Sequence, residues 1–173
     1  MSGVPHFEIR HAQPGDEEAI ARVHVASWQS AYAGLLPAGY LDALDWRRRA
    51  EQWGEWLRQP PAGSMALTAH STAGLIGFAS LGPSRDVAER DHYELYAIYV
   101  LPQAWRSGAG SALLTAGLSG LTGQAERVGL WVLRDKLRAL GFYERRSFET
   151  DGATKAISLG GRDLVELRYV KRL

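Results

Sequence analysis

A chain of 173 residues, 46% hydrophobic and 23% charged, has the size and composition of one soluble globular domain and excludes a disordered segment. Twenty basic against nineteen acidic side chains leave a formal charge of +1, which excludes a strongly basic nucleic-acid binder. The lack of cysteine removes disulfides, thiolate metal sites and thiol catalysis.

No apolar run reaches the roughly 18 residues of a membrane helix, and residues 1–9 lack the basic-then-apolar order of a secretion signal. A cytoplasmic protein with a single domain over 1–173 is expected. Seventeen arginines against three lysines, and no asparagine at all, mark the composition.

Alternating apolar and polar residues predict a strand over 7–12. Pro14 is placed at the first helical position and Asp16 in the positive first turn of a helix carrying Ala19, Ile20, Val23 and Ala26. Residues 28–57 hold Trp28, Trp46, Trp53 and Trp56 in a second helical region, which the 60–63 Pro-Pro-Ala-Gly stretch stops. Residues 65–70 and 75–81 read as a hairpin around a turn at 71–74. A polar loop over 84–91 leads to a strand over 93–100, with Leu95, Ala97 and Tyr99 on one face and Glu94, Tyr96 and Ile98 on the other. A helix from Gly108, a strand over 128–133, a helix over 135–146 and a closing strand over 164–170 complete an order of βα(α)ββ-β-α-β-α-β, a mixed α/β layered fold.

The passage from strand to helix at 100–111 contains Gly108 and Gly110. These glycines permit conformations and close approaches that a β-carbon obstructs. Successive N–H groups at the positive end of a helix suit a pyrophosphate, and Arg106 adds a charged fork. A tight strand–helix corner uses the same residues with no ligand at all. No Gly-Lys pair exists to make a Walker loop. The run from Gly108 to Leu113 lacks the third glycine of a dinucleotide fingerprint.

With its flanks, this region resembles the GCN5-related N-acetyltransferase (GNAT) family, whose acetyl-coenzyme A loop is [Q/R]-x-x-G-x-[G/A] after a central strand. Trp105-Arg106-Ser107-Gly108-Ala109-Gly110 matches in its second half, with Trp105 where Gln or Arg is usual. The 130–133 strand, followed by Ala139 and the Phe142-Tyr143 pair, resembles the family's second cofactor segment. There Lys136 stands where an Asn often contacts the pantetheine arm, and Ser147-Phe148 replaces Gly-Phe. The likeness spans Phe7 to Val170.

The resemblance implies a mostly antiparallel central sheet flanked by helices, with the 93–100 and 128–133 strands splayed around acetyl-CoA. It places the pyrophosphate on the amides of Arg106, Ser107, Gly108, Ala109, Gly110 and Ser111. Pantetheine lies along Ile98, Tyr99 and Val100, with Lys136, Ala139 and Phe142 as further cofactor contacts. Direct acyl transfer requires an amine freed of its proton and a leaving thiolate that gains one. Tyr143, a phenol protonated at neutral pH, is the implied acid. Glu94, fourteen residues before Gly108, is the candidate base through water, or else pairs with Arg85. His24 and His92 are alternative bases.

Trp28, Tyr32 and Tyr96 are candidate contacts for the acceptor, a small-molecule or peptide amine; core packing is the plainer account of Trp28 and Tyr32. Trp46, Trp53 and Trp56 are read as packing, and Arg145 as a candidate for the 3′-phosphate of coenzyme A. Five scattered histidines without metal-ligand spacing indicate no metal site. A homodimer is compatible with the family. The alternatives are a GNAT-like module that binds acyl-CoA without catalysis and an acyltransferase for longer acyl groups.

Overall fold

The computed structural model describes residues 7–86 and 92–173; most of the loop expected at 84–91 lies outside them. Seven strands form one sheet: β1 (Phe7–His11), β2 (Met65–Ser71), β3 (Gly74–Pro83), β4 (Tyr93–Val100), β5 (Arg127–Leu133), β6 (Glu149–Leu159) and β7 (Arg162–Arg172). Their order is β1-β2-β3-β4-β5-β7-β6. Every neighbouring pair is antiparallel except β4–β5, which is parallel.

The helices are α1 (Glu17–Ala31), α2 (Ala38–Asp42), α3 (Trp46–Arg58), α4 (Ala109–Gly120) and α5 (Leu137–Glu144). Leu113 and Leu114 of α4, with Leu140 of α5, pack against Leu81, Val128 and Leu130 on one face of the sheet. On the other face, Ile20 and Val23 of α1 and Leu57 of α3 enclose Phe78, which is 0% exposed. Trp53 meets the Phe78 ring edge-on at 5.2 Å, as its packing role requires. Burying apolar surface on both sheet faces at once is the main source of stability in such a layered arrangement.

Helix α1 starts later than the sequence pattern suggests. Pro14 and Gly15 form a turn in which the Asp16 amide donates to Gln13 O at 3.0 Å, and Asp16 is the cap residue rather than part of the first turn. Its carboxylate receives Arg10 Nη1 and Nη2 at 2.7 and 2.8 Å, a bidentate pair that fastens β1 to the start of α1.

Strand β6 is absent from the order read from the sequence. It lies at the sheet edge, exposed over most of its length, so it lacks the alternating apolar positions that signal a half-buried strand. Pairing with β7 alone makes it a strand. The 93–100 strand also departs from simple alternation. Ser80 pairs with Ala97 and Leu81 with Leu95, leaving Tyr96 as the extra residue of a bulge. Leu95 therefore joins Ile98 and Val100 on the α4 face, while Ala97 and Tyr99 turn to the α1 side. Past Tyr93–Val128 and Glu94–Gly129, β4 and β5 make no further pairs. The splayed opening follows.

Candidate active site

A cleft of ≈ 960 Å³ occupies the gap between β4 and β5, roofed by the C-terminal end of α1 and walled by α4 and α5. That volume is ample for an extended organic ligand. Its two ends differ in chemistry.

At one end the chain turns from β4 into α4. Arg106 (φ +65°) and Gly108 (φ +94°) are both left-handed, a conformation that glycine adopts freely and other residues adopt at a cost. The first amide bonded back from the helix is Ala112 N, to Gly108 O at 3.0 Å. Ala109 N donates to Ser107 Oγ at 3.3 Å. Among the described residues, the amides of Arg106, Gly108, Gly110 and Ser111 have no acceptor within the chain. Such donors at a helix start form an anion-binding nest. Phe142 lies 3.5 Å from where a Cβ on Gly110 would stand, so the glycine lets α5 approach the nest.

Four guanidiniums line this end: Arg106, Arg138, Arg145 and Arg146. Arg146 is held by Phe142 O at 2.8 Å, by Ser111 Oγ and by stacking 3.7 Å over the Phe142 ring. Arg138 stacks 3.7 Å over Trp105. Sequence reasoning named Arg106 and Arg145 but not Arg138 or Arg146, because a helical arginine carries no local sign of which cleft it faces.

The edge of β4 supplies the next donors and acceptors. Leu101 N donates to Ile76 O at 2.8 Å, and bonded positions alternate along an antiparallel pair. Tyr99 therefore bonds to Phe78 of β3, whereas the main-chain groups of Ile98 and Val100 turn toward the gap. Of these, Val100 O already accepts from Trp105 Nε1 at 2.8 Å. Of the residues expected at the cofactor, Ile98, Tyr99, Val100, Arg106, Gly108, Gly110, Ser111, Lys136, Ala139 and Phe142 line the cleft. Ser107 and Ala109 do not line the cleft, and Ala109 is 1% exposed.

The other end is aromatic. Tyr32 and Tyr99 share a hydrogen bond between hydroxyls at 3.3 Å. Trp28 stacks on Tyr32 at 4.6 Å between centroids. Tyr32 and Tyr96 line the cleft while Trp28 braces Tyr32 from behind. The Tyr96 hydroxyl donates to Pro83 O. Tyr143 lines the cleft from α5, and burial pushes its phenol well above the ordinary tyrosine value. It stays protonated.

Glu94 is 4% exposed and accepts from the Arg85 amide at 3.0 Å and from the Arg85 guanidinium. It lies at the foot of the splayed strands and does not line the cleft. The bulge at Tyr96, one residue past Leu95, separates it from the cleft-facing positions. The carboxylate that does reach the cleft from the sheet is Glu166, on β7 opposite Leu133 and 3.1 Å from Lys155 Nζ. Its place in an ordinary strand alternation gave no sign of this. His24 packs 5.2 Å from both Tyr99 and Phe78, and burial pulls its pKa down to about 3. Neither it nor His92 lines the cleft.

Residues 24–148 match the model of the acetyltransferase (GNAT) family. The chain is 33% identical to the uncharacterized N-acetyltransferase YuaI of Bacillus subtilis, over 92% of this chain and 95% of that one. The PaiA N-acetyltransferase of Thermoplasma acidophilum, solved in complex with coenzyme A, superposes with a TM-score of 0.74 at 23% identity, covering 96% of this chain and 99% of that one. The ribosomal-protein-alanine N-acetyltransferase of Brucella melitensis gives 0.73 at 23% identity over 96% and 99%. With this sheet, this nest and these relatives, the chain belongs to the GNAT family of acetyltransferases.

Proposed function

We propose that the protein transfers the acetyl group of acetyl-CoA directly to a primary amine. The observation that carries this reading is the nest of amides at Arg106, Gly108, Gly110 and Ser111, which opens onto the same cleft as the free β4 edge and the Tyr143 phenol. The nest and the four arginines fit the phosphates of coenzyme A in charge and donor type. The Ile98 carbonyl and the Val100 amide, both facing the gap, fit the pantetheine amides, as an added strand would. When bound, acetyl-CoA supplies an activated thioester.

The chain's own groups then have distinct tasks. The Ile98 amide, facing the gap, polarises the acyl carbonyl. Tyr143 holds a proton at its phenol oxygen for the leaving sulfur. Glu166, the sheet carboxylate on the cleft wall, takes the proton that the acceptor's ammonium must lose, through water. Glu94 serves instead to hold Arg85 and the end of β3. Tyr32, Tyr99 and Tyr96 flank the acceptor.

Incubating the protein with acetyl-CoA and a panel of amines, while following free thiol, tests this reading. Amine-dependent thiol release supports it. Tight acetyl-CoA binding with no release for any amine would make the protein a binding module. A preference for longer acyl-CoAs would redefine the donor.

A further inference from the structure

The chain has three lysines, and two have partners. Lys155 pairs with Glu166 at 3.1 Å and Lys171 donates to Arg146 O at 2.6 Å. Lys136, on the cleft wall between β5 and α5, has neither a carboxylate nor a hydrogen-bond acceptor among the described residues. Its ammonium lies 4.0 Å from the Tyr32 ring centroid and 5.8 Å from that of Tyr99. That position is the aromatic part of the cleft, over Tyr32 and Tyr99. Aromatic faces return only part of the hydration that a buried ammonium gives up. Desolvation pulls its pKa down to about 8, which leaves it mostly charged at neutral pH. A desolvated, unpaired cation aimed into a ligand cleft lacks an anion.

We propose that the acceptor amine carries a free carboxylate that seats on the Lys136 ammonium, so that amino-acid-like molecules are the substrates. This rests on the acetyl-transfer reading above. The charges around the site narrow the class. A polyamine would bring a second ammonium against Lys136. A phosphorylated amine would be better met by the guanidiniums of Arg146 and Arg138, which are held at Ser111, Phe142 and Trp105 beside the nest. A carboxylate suits a lysine, a compact point charge with three donors and no fixed fork.

The experiment compares matched acceptors on the full chain with acetyl-CoA: free amino acids, their methyl esters, and the corresponding decarboxylated amines, with spermidine alongside. The readout is the acid-to-ester ratio of kcat/KM within each protein. The wild type is expected to favour the acids about tenfold or more, the worth of one charge-assisted hydrogen bond. Lys136→Gln is expected to bring the ratio near one, chiefly through KM, and Lys136→Arg to restore most of it. A wild-type ratio near one, a ratio that survives Lys136→Gln, or a preference for spermidine overturns the proposal. Binding of N-acetyl amino acids, followed by tryptophan fluorescence, needs no turnover and separates the two readings. Affinity lost in Lys136→Gln but kept in Lys136→Arg supports the carboxylate seat even where acetyl-CoA fails to bind. Equal affinity in all three proteins overturns it even where acetyl-CoA binds tightly.

Discussion

Trp105 donates its indole N–H to Val100 O at 2.8 Å, and Arg138 stacks 3.7 Å over the same ring. One side chain thus joins the end of β4, the turn into α4 and a cleft arginine of α5. The tryptophan stands where the family's motif commonly has Gln or Arg, and here it makes that join. Trp105→Ala is expected to raise the Kd for acetyl-CoA about tenfold, from loss of a hydrogen bond and of the stacking that orients Arg138. Trp105→Gln, which retains an N–H donor, should recover part of it. Calorimetric titration checks both.

Removing the Tyr143 hydroxyl leaves the cleft's shape and takes away its proton donor. Tyr143→Phe should lower kcat by about a hundredfold, the ordinary size of general-acid catalysis, with little change in acetyl-CoA affinity. Burial holds the phenol above its usual pKa, so the wild-type rate should show no alkaline fall from this group until well above neutral pH. Steady-state kinetics across pH tests the assignment.

The two glutamates separate structure from chemistry. Glu94→Gln should destabilise folding by about 1–3 kcal/mol, because a buried carboxylate loses its charge-assisted bonds to Arg85, and should leave kcat nearly intact. Glu166→Gln should do the reverse, lowering kcat with little loss of stability. Urea denaturation and kinetics on both variants give the comparison. A large kcat loss in Glu94→Gln alone would return the base role to Glu94.

Ser147 has φ +60° where the family commonly has glycine. An L-residue there carries roughly 1–2 kcal/mol of local strain, partly offset because glycine gives the unfolded chain more freedom. Ser147→Gly is therefore expected to stabilise the protein by about 0.5–1 kcal/mol and to raise Tm by roughly 1–4 °C. Thermal denaturation measures it directly.

Lys136 holds its proton less tightly folded, at about 8, than the ordinary 10.5. Between those values the unfolded chain binds more protons than the folded one, so this group's contribution to stability rises with pH across that window. Lys136→Met should be more stable than the parent at pH 7. The difference should shrink as pH climbs from about 8 past 10, which denaturation at several pH values will show.

The sequence by itself determined the nest, because its ingredients are local: a strong strand, Gly108 at a left-handed position, and a helix whose first amides are left over. Tyr143 and Phe142 stood out only through the resemblance of their Phe-Tyr pair to the family's second cofactor segment. What it left out depended on distant partners. The edge strand β6 exists through its pairing with β7 and bears no apolar alternation of its own. The bulge at Tyr96 arises from how β4 meets β3, and it puts Leu95 on the face of Ile98 and Val100 rather than that of Ala97 and Tyr99. The cleft position of Glu166 was settled by β7 pairing with β5 beside the β5–α5 connection. Only the packed sheet decides this, since side-chain direction along one strand says nothing about which strand end opens into a cleft.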